Sequence, residues 1–345
     1  MTKILVTGGA GYIGSHTVVE LQNSGYEVII VDNLSNSSAT VIDRIAKITG
    51  ILPAFVKADC ANKEEMKNVF DTYSGIKGII HFAANKAVGE SVRKPLLYYR
   101  NNIDTLLTLL ELMSPYGVEG IVFSSSCTVY GQPDILPVSE TSPVKEAASP
   151  YGNTKQINEE IIRDTIYAGA PFKSIILRYF NPIGAHPSAE IGELPIGIPQ
   201  NLVPFLTQAA MGIRQELSVF GNDYNTPDGS CIRDYINVVD LAKAHVIAID
   251  RLLKDTACSP VEYYNLGTGT GISVLDLIHT FEESTSVKVP HRIVARREGD
   301  VEQIWADPAL ANEKLGWKAK ETLEDTLRSA WKWQRQIVEN AETKH

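Results

Sequence analysis

Tyr151 and Lys155 stand four residues apart in Tyr151-Gly152-Asn153-Thr154-Lys155, just after Pro150, and on a helix that spacing puts a phenol and an ammonium on one face. Together they can make a base. A free phenol with a pKa near ~10 is ionised in about one molecule in a thousand at pH 7, so holding it mostly ionised takes roughly 4 kcal/mol. One cation at ~6 Å in an effective dielectric of ~20 supplies about 2.8 kcal/mol of that, and a second positive group must supply the rest. The run Ser124-Ser125-Ser126-Cys127-Thr128 offers a hydroxyl, Ser126, that can bridge the phenol and a substrate alcohol. Each piece has a plainer reading. Tyrosine and lysine four apart occur on many solvated helix faces, and serines at a strand exit often cap their own backbone, which is expected here for at least two of the three.

A second motif gives the pair its context. Thr7-Gly8-Gly9-Ala10-Gly11-Tyr12-Ile13-Gly14 follows an apolar run and opens a helical pattern. Gly8, Gly11 and Gly14 fall where a chain must turn tightly and approach a pyrophosphate, with Tyr12 and Ile13 in the first helical turn beside it. Asp32 ends the second apolar run, about 18 residues past Gly14, where a carboxylate accepts from both ribose hydroxyls of NAD and repels a 2′-phosphate. No arginine adjoins it, and Asn33 follows. NAD is therefore expected rather than NADP, and its nicotinamide cation would be the second positive group near Tyr151.

The elements needed to position these residues are present in the pattern. Short β-branched runs at 3–7, 27–31, 78–82, 121–124 and 174–178 read as buried parallel strands. Amphipathic stretches at 12–23, 63–73, 95–113 and 151–167 read as the crossover helices between them. The fold class this predicts is α/β, a Rossmann-type doubly wound parallel sheet with a smaller mixed α/β substrate domain. After Phe180 the prolines 182, 187, 195, 199 and 204 break the periodicity until a helical pattern resumes at 202–211. The expected division is an NAD-binding domain over 1–180, with 236–266 returning to it, and a substrate domain over 181–235 and 267–338. A frayed tail over 339–345 completes it.

Composition narrows the function. The 345 residues are 44% hydrophobic and 21% charged, ordinary for a folded chain of about two domains. A net charge of -9 gives a nucleic-acid backbone no electrostatic support. Cys60, Cys127, Cys231 and Cys258 are scattered without a CxxC pair, which argues against a structural metal, a redox dithiol and a disulfide framework and fits the cytoplasm. No apolar run is long enough for a membrane span, and no signal peptide is recognisable.

The chain resembles the extended short-chain dehydrogenase/reductases nearly end to end, and within them the UDP-sugar 4-epimerase branch. The stretches that carry the likeness are residues 6–16, His81-Phe82-Ala83, Ala87-Val88-Gly89-Glu90-Ser91-Val92, Arg178-Tyr179-Phe180-Asn181-Pro182, Phe220-Gly221-Asn222-Asp223-Tyr224, Arg233-Asp234-Tyr235 and Arg296-Arg297-Glu298-Gly299-Asp300. The resemblance implies that Tyr151 is the base and acid, Lys155 its electrostatic partner and a ligand of the nicotinamide ribose, and Ser126 the hydroxyl that positions sugar and tyrosine. It implies further NAD contacts from Asp59 at the adenine, from Phe82, Ala83 and Lys86 near the phosphates with Asn101 beside them, and from Tyr179. Asn181, Asn201, Phe220, Arg233, Tyr235, Arg297 and Asp300 would hold the UDP-sugar: arginines suit a diphosphate, an aromatic suits a stacked uracil, a carboxylate suits a ribose diol. Taken singly, such arginines are more often surface ion pairs and such a phenylalanine more often core. The implied reaction interconverts UDP-galactose and UDP-glucose through a transient 4-keto sugar, with NAD never released, in a homodimer built on the helices at 95–113 and 151–167.

Two rivals are weaker. A nucleotide-sugar 4,6-dehydratase would start with the same oxidation, but dehydratases of this kind resemble one another in an Asp-Glu pair after the serine, where this chain has Cys127 and Thr128. A silent NAD-binding regulator on the same fold would not need Tyr151, Lys155 and Ser126 together. Ile304 stands where some relatives carry an aromatic gate near the hexose, and its smaller volume predicts tolerance for the N-acetylated pair UDP-N-acetylglucosamine and UDP-N-acetylgalactosamine.

Overall fold

The computed structural model describes residues 1–297 and 299–342. In the first half, strands β1 (Lys3–Thr7), β2 (Glu27–Asp32), β3 (Ala54–Lys57), β4 (Ile76–His81), β5 (Gly120–Ser126) and β6 (Lys173–Tyr179) alternate with helices α1 (Tyr12–Asn23), α2 (Thr40–Thr49), α3 (Lys63–Thr72), α4 (Val88–Arg93), α5 (Pro95–Met113) and α6 (Pro150–Tyr167). The second half runs β7 (Asn181–Ile183), α7 (Leu202–Ala210), β8 (Leu217–Phe220), β9 (Ile232–Arg233), β10 (Tyr235–Asn237), α8 (Val238–Leu253), β11 (Val261–Leu266), β12 (Ile272–Ser273), α9 (Val274–Thr285), β13 (His291–Val294), β14 (Gln303–Ile304), α10 (Ala309–Lys314) and α11 (Leu323–Glu342).

Seven strands form one parallel sheet in the order β11-β6-β5-β4-β1-β2-β3. Its central strands carry apolar runs because both faces are covered, and the period of two deals their side chains between two cores. Ile4, Val6, Ile30, Ile80, Val122 and Ile175 face one layer with Val18 and Leu21 of α1, Ile45 of α2 and Leu241, Ile249 and Leu252 of α8. Leu5, Ile29, Ile79, Ile121, Phe123 and Ile176 face the other, with Phe70 of α3, Leu106 and Leu109 of α5 and Ile162 and Ile166 of α6. The sheet is therefore doubly wound, and the strand order reverses between β1 and β4, where a crevice opens at the carboxyl ends.

A separate apolar cluster knits the second half, with Val203 and Leu206 of α7, Leu277 and Phe281 of α9 and Leu327 and Ala330 of α11. Short pieces accompany it: the parallel pairs β7–β10 and β8–β13, and a three-stranded sheet β12-β9-β14. Residues 261–266 return to the large sheet as its edge strand beside β6, and α8 lies against its face.

Of the first-half elements, β3, α2 and the short α4 were not foreseen, nor were most of the short strands and the last helices of the second half. β3 has no fully buried residue and one neighbour, so it lacks the continuous apolar run of a central strand. α2 buries only Ile42 and Ile45, a two-residue stripe too thin to stand out among polar neighbours. The tail differs as well, since α11 continues to Glu342 instead of fraying from 339, and residues 343–345 lie outside the described residues, as does Glu298. Among the described residues no helix is long and apolar enough to cross a membrane.

Three buried histidines make the fold acid-sensitive. The His16 and His245 Nδ1–H groups donate to the carbonyls of Tyr12 and Leu241, and His81 Nδ1 lies 2.7 Å from Thr7 Oγ1. Burial lowers His16 and His81 to about 3 and His245 to about 4. The unfolded chain binds protons near pH 6.5 where the folded chain does not, so stability falls as pH drops from about 6.5 toward these values, by about 2 kcal/mol per histidine at pH 5. The thermal midpoint is expected to fall steeply between pH 7 and pH 5, and a flat profile across that range would contradict the neutral state of these rings.

Candidate active site

The glycine turn leaves β1 at the reversal point. Gly8 is left-handed, with φ of 69°, and a Cβ there would lie 2.8 Å from the Ala83 nitrogen. A Cβ on Gly14 would lie 2.3 Å from the Gly8 carbonyl oxygen, so α1 meets the turn only because position 14 has no side chain. Gly11 caps α1 with no side-chain acceptor and no acid follows in the first turn, which leaves first-turn amides at Tyr12 and Ile13 without intrahelical partners. Such an open helix start, faced by backbone rather than side chains, fits a pyrophosphate.

Asp32 hangs over the same turn. Its Oδ2 accepts from the Ala10 amide at 3.1 Å, and its Oδ1 from the Leu34 amide at 2.9 Å and the Ser37 hydroxyl at 2.8 Å. Asn33 is exposed and accepts from the Ser35 amide at 3.0 Å. Asp59 lies at the turn after β3, its Oδ1 taking the Ala61 amide at 2.9 Å. The Phe82 amide donates to the Thr7 carbonyl at 3.0 Å, so Phe82 and Ala83 form the opposite lip of the crevice. Exposed Lys86 places Nζ 5.7 Å from the Tyr12 ring centroid and 3.2 Å from Glu193 Oε1. Asn101 donates to Asn102 Oδ1 at 3.0 Å. Buried Asn102, which the sequence reading overlooked, holds the Lys86 loop: it accepts from the Asn85 amide at 2.8 Å and donates to the Asn85 carbonyl and to Thr154 Oγ1, each at 3.0 Å. Its one visible signal is the adjacent Asn101-Asn102 pair in an amphipathic helix.

Across the crevice, α6 delivers the tyrosine. Ser149 caps the helix by accepting from the Gly152 amide at 3.2 Å, Pro150 takes the first helical position and Tyr151 the second. One turn on, buried Lys155 donates from Nζ to the Ser124 carbonyl at 2.6 Å and stands 5.8 Å from the Tyr151 ring centroid and 4.9 Å from that of Phe123. The Ser126 hydroxyl hydrogen-bonds to the Tyr151 phenol and accepts from the Thr128 amide at 3.2 Å.

The three serines divide as their surroundings require. Ser124 shares a hydrogen bond with the Tyr179 hydroxyl, which fixes that buried ring in the wall, and Ser125 donates to Glu159 Oε1 at 2.5 Å. Ser126 alone reaches Tyr151.

Electrostatics adjusts one expectation. The lysine lies at the distance that should stabilise a phenolate, yet burial pushes the Tyr151 phenol up to about 12, opposed by the Ser126 hydrogen bond. Burial likewise draws Lys155 down to about 7, opposed by the charge of Glu159. Desolvation thus exceeds what one neighbouring cation returns, and by itself the pocket holds a neutral phenol. A further positive charge in the crevice is required to make it a base near pH 7.

The second half supplies two groups of side chains. Arg297 stacks over Phe220, with its guanidinium carbon 5.4 Å from the ring centroid, and forks onto Asp300, with Nη2 2.6 Å from Oδ1. Arg233 donates from Nη1 to the carbonyls of Ile232 at 2.8 Å and Glu302 at 3.3 Å. The charges of Arg233 and Asp300 both reach the buried Tyr235 phenol, and β9 pairs Arg233 with Ile304 of β14. Ile304 is buried with Cys127 and Phe180, beside the serine exit. The Asn181 amide donates to the Asp234 carbonyl at 2.9 Å. Asn201 Nδ2 donates to Glu193 Oε1 at 2.5 Å, so Glu193 joins Lys86 on the cofactor side to Asn201 on the other. Glu193 was overlooked because it sits in a Gly- and Pro-rich loop with no periodic signal.

The chain and its fold are similar to those of known proteins. A family model described as GDP-mannose 4,6 dehydratase matches residues 5–330 and places the chain among the extended short-chain dehydrogenase/reductases. The chain is 52% identical over 331 residues to the UDP-glucose 4-epimerase of Bacillus subtilis (strain 168), covering 96% of each. It superposes with a TM-score of 0.94 and 46% identity on the UDP-glucose 4-epimerase from Bifidobacterium longum in complex with NAD+ and UDP, covering 98% of this chain and 99% of that one. The TM-score is also 0.94, at 48% identity and covering 99% and 100%, for the UDP-glucose-4-epimerase from Stenotrophomonas maltophila with bound NAD and formylated UDP-arabinopyranose. The chain belongs to the UDP-glucose 4-epimerase family.

Proposed function

We propose that the protein interconverts UDP-galactose and UDP-glucose through a 4-keto sugar that stays bound, with NAD as a resident cofactor. The observation that carries this reading is Tyr151 between the Ser126 hydroxyl and the Lys155 ammonium, at the sheet edge next to the glycine turn. Gly8, Gly11 and Gly14 with Tyr12 and Ile13 hold the pyrophosphate, Asp32 and Asn33 the adenosine ribose, Asp59 the adenine, and Phe82, Ala83, Lys86, Asn101, Lys155 and Tyr179 the remainder. When bound, NAD would supply a reversible hydride acceptor for sugar C4 and the positive charge that the buried phenol lacks. Tyr151 accepts the 4-hydroxyl proton and later gives it back, while Ser126 orients the oxygen. Phe220 stacks on uracil, Asp300 takes the ribose diol, and Arg233 and Arg297 take the diphosphate with Tyr235, Asn181 and Asn201 around them. Anchoring the nucleotide and leaving the hexose loosely held lets the ketone turn over between the two transfers.

Dehydration is disfavoured by the same site. Cys127 is pushed up to about 12 by burial, and Thr128 is no carboxyl acid, so neither of the two residues following Ser126 can act as the acid that eliminates water. Purified protein given UDP-galactose without added NAD is expected to form UDP-glucose by NMR. A 4-keto-6-deoxy product, or no product from protein that binds UDP, would overturn the reading.

The parts divide as cofactor-holding residues 1–180 with 236–266 and sugar-holding residues 181–235 with 267–338. The partner of the chain is a second copy. Exposed Leu96 and Leu107 lie three turns apart on one face of α5, and exposed Tyr167 ends α6 beside it, an apolar surface suited to a symmetric helix pair. Sedimentation at twice the chain mass is expected, and a monomer at micromolar concentration would refute the pairing. Three buried free thiols, Cys60, Cys127 and Cys231, suit a reducing cytoplasm. At the hexose, the small Ile304 side chain predicts turnover of the N-acetylated sugars as well. Ile304→Tyr should remove that activity and spare UDP-galactose, and equal use of both sugars by the two proteins would refute the gate.

A further inference from the structure

Beneath the tyrosine and lysine lies a buried ion pair that the reaction as described does not use. Glu159, one turn after Lys155 on α6, takes the Arg178 guanidinium in a fork, with Nε 3.0 Å from Oε1 and Nη2 2.5 Å from Oε2. Both side chains are buried. Glu159 Oε1 also accepts from Ser125 Oγ at 2.5 Å. Arg178 extends the network from Nη1 to the Tyr130 hydroxyl at 3.0 Å, which donates to Asn265 Oδ1 at 2.7 Å, and its guanidinium lies 5.0 Å from the Tyr130 ring centroid and 4.9 Å from that of Tyr263. One carboxylate thus ties α6 to β5 through Ser125 and to β6 through Arg178, one residue on either strand from the groups that meet the catalytic pair: Ser124 and Ser126 on β5, Tyr179 on β6.

We propose that Glu159 is a positioning residue for Tyr151 and Lys155: its carboxylate fixes the rotation of α6 against β5 and β6, and supplies the counter-charge for the buried Lys155 ammonium. The inference rests on the epimerase reading for its kinetic consequence. Physically, a buried ion pair is a weak source of stability compared with apolar packing, so its value lies in the geometry it specifies. Tyr151, Lys155 and Glu159 share one helix face at four-residue spacing, so a helix rotated about its axis would carry the phenol away from Ser126 while moving the ammonium off the Ser124 carbonyl.

The charges around Lys155 come from every element packed against it. α6 contributes the Tyr151 phenol and the Glu159 carboxylate, β4 contributes neutral His81, and β5 contributes the Ser124 carbonyl. From β6 come Arg178 and the Tyr179 phenol, with the Tyr130 and Tyr263 phenols and Glu140 around Arg178. Glu159 is the charge that favours the ammonium, and burial opposes it. Removing that carboxylate strips Lys155 of its counter-charge and leaves Arg178 as an uncompensated neighbouring cation, so the lysine must lose its proton at lower pH.

The test uses Glu159→Gln, Glu159→Asp and Ser125→Ala in the full-length protein. For Glu159→Gln, kcat on UDP-galactose is expected to fall about tenfold or more with KM nearly unchanged, and the alkaline limb of the kcat profile to move down by about one pH unit. Glu159→Asp should recover part of both. Ser125→Ala keeps both charges, so it should lower kcat severalfold without moving the limb. Lysine 13Cε NMR, with Lys155 identified by its loss in Lys155→Met, should show the same displacement of the titration midpoint in Glu159→Gln and none in Ser125→Ala. That readout does not depend on epimerisation, so it tests the role of Glu159 even if wild type fails to turn over the sugar. A folded Glu159→Gln with Lys155 titrating as in wild type overturns the proposal whatever its kcat. If that variant does not fold, wild-type kcat in both Ser125→Ala and Glu159→Asp overturns it, and a lowered kcat at unchanged KM in both supports it.

Discussion

Tyr151→Phe is expected to lower kcat for UDP-galactose by about 10³-fold, near the upper range of what a positioned acid–base group contributes, while UDP binding stays within about twofold of wild type. The change removes one oxygen and keeps the ring that packs beside β5. Among the described residues around it, Ser126, Cys127, His81 and Tyr179 are each unsuited to take the proton. Ser126 has an alcohol of ordinary weak acidity, Cys127 is raised to about 12 by burial, His81 is buried with its Nδ1 against Thr7, and the Tyr179 hydroxyl is engaged by Ser124. The pH dependence follows from the site's electrostatics. Tyr151, near 12 in the bare pocket, must come down when positive charge enters beside it, whereas Lys155, near 7, must gain protonation from any anionic neighbour. Activity should therefore fall on the acid side as the phenol becomes protonated and on the alkaline side as the ammonium is lost. In Tyr151→Phe the acid limb should vanish from whatever activity remains. Turnover within tenfold of wild type in that variant would remove Tyr151 from the mechanism.

Gly14→Ala is expected to have the second largest effect, through the cofactor. A methyl group at position 14 would lie 2.3 Å from the Gly8 carbonyl oxygen and 2.8 Å from the Gly9 Cα, so the turn must open or α1 must move outward. Neither neighbour is a flexible side-chain end that can swing aside. The first-turn amides at Tyr12 and Ile13 then lose their aim, and Asp32, bonded to the Ala10 amide in the same turn, shifts with it. The purified variant should carry under about a tenth of the wild-type NAD, with activity lost in proportion, an effect equivalent to at least 1.4 kcal/mol or so of binding. Nucleotide released on denaturation and measured by its absorbance decides this. Wild-type NAD content in a folded Gly14→Ala protein would show that the glycine turn is not where the cofactor is held.

Much of this architecture was legible in the residues, for a physical reason. Central strands buried on both faces must be continuously apolar, so β1, β2, β4, β5 and β6 announce themselves, and α1 and α5 are bounded in the sequence by the glycine turn and by Pro95. The edge strand β3 and the thin helix α2 bury too little to leave a pattern. Tyr151, Lys155 and the glycine turn were readable because their chemistry demands a fixed spacing on one element. Asn102, Glu193 and the Glu159–Arg178 pair were not, because each acts across elements distant in sequence, and only folding brings Glu193 between Lys86 and Asn201. The desolvation of Tyr151 was not legible in the sequence for a related reason. Spacing reveals the neighbouring lysine but not the desolvation that burial imposes on both groups.

The most direct measurement follows the hydrogen on sugar C4. Incubating wild-type protein with UDP-galactose carrying deuterium at C4, in ordinary water and with no NAD added, should give UDP-glucose that retains the deuterium at C4, because the hydrogen leaves and returns within one closed site. Product with protium at C4, or conversion that requires added NAD in protein shown to be folded, would contradict the account.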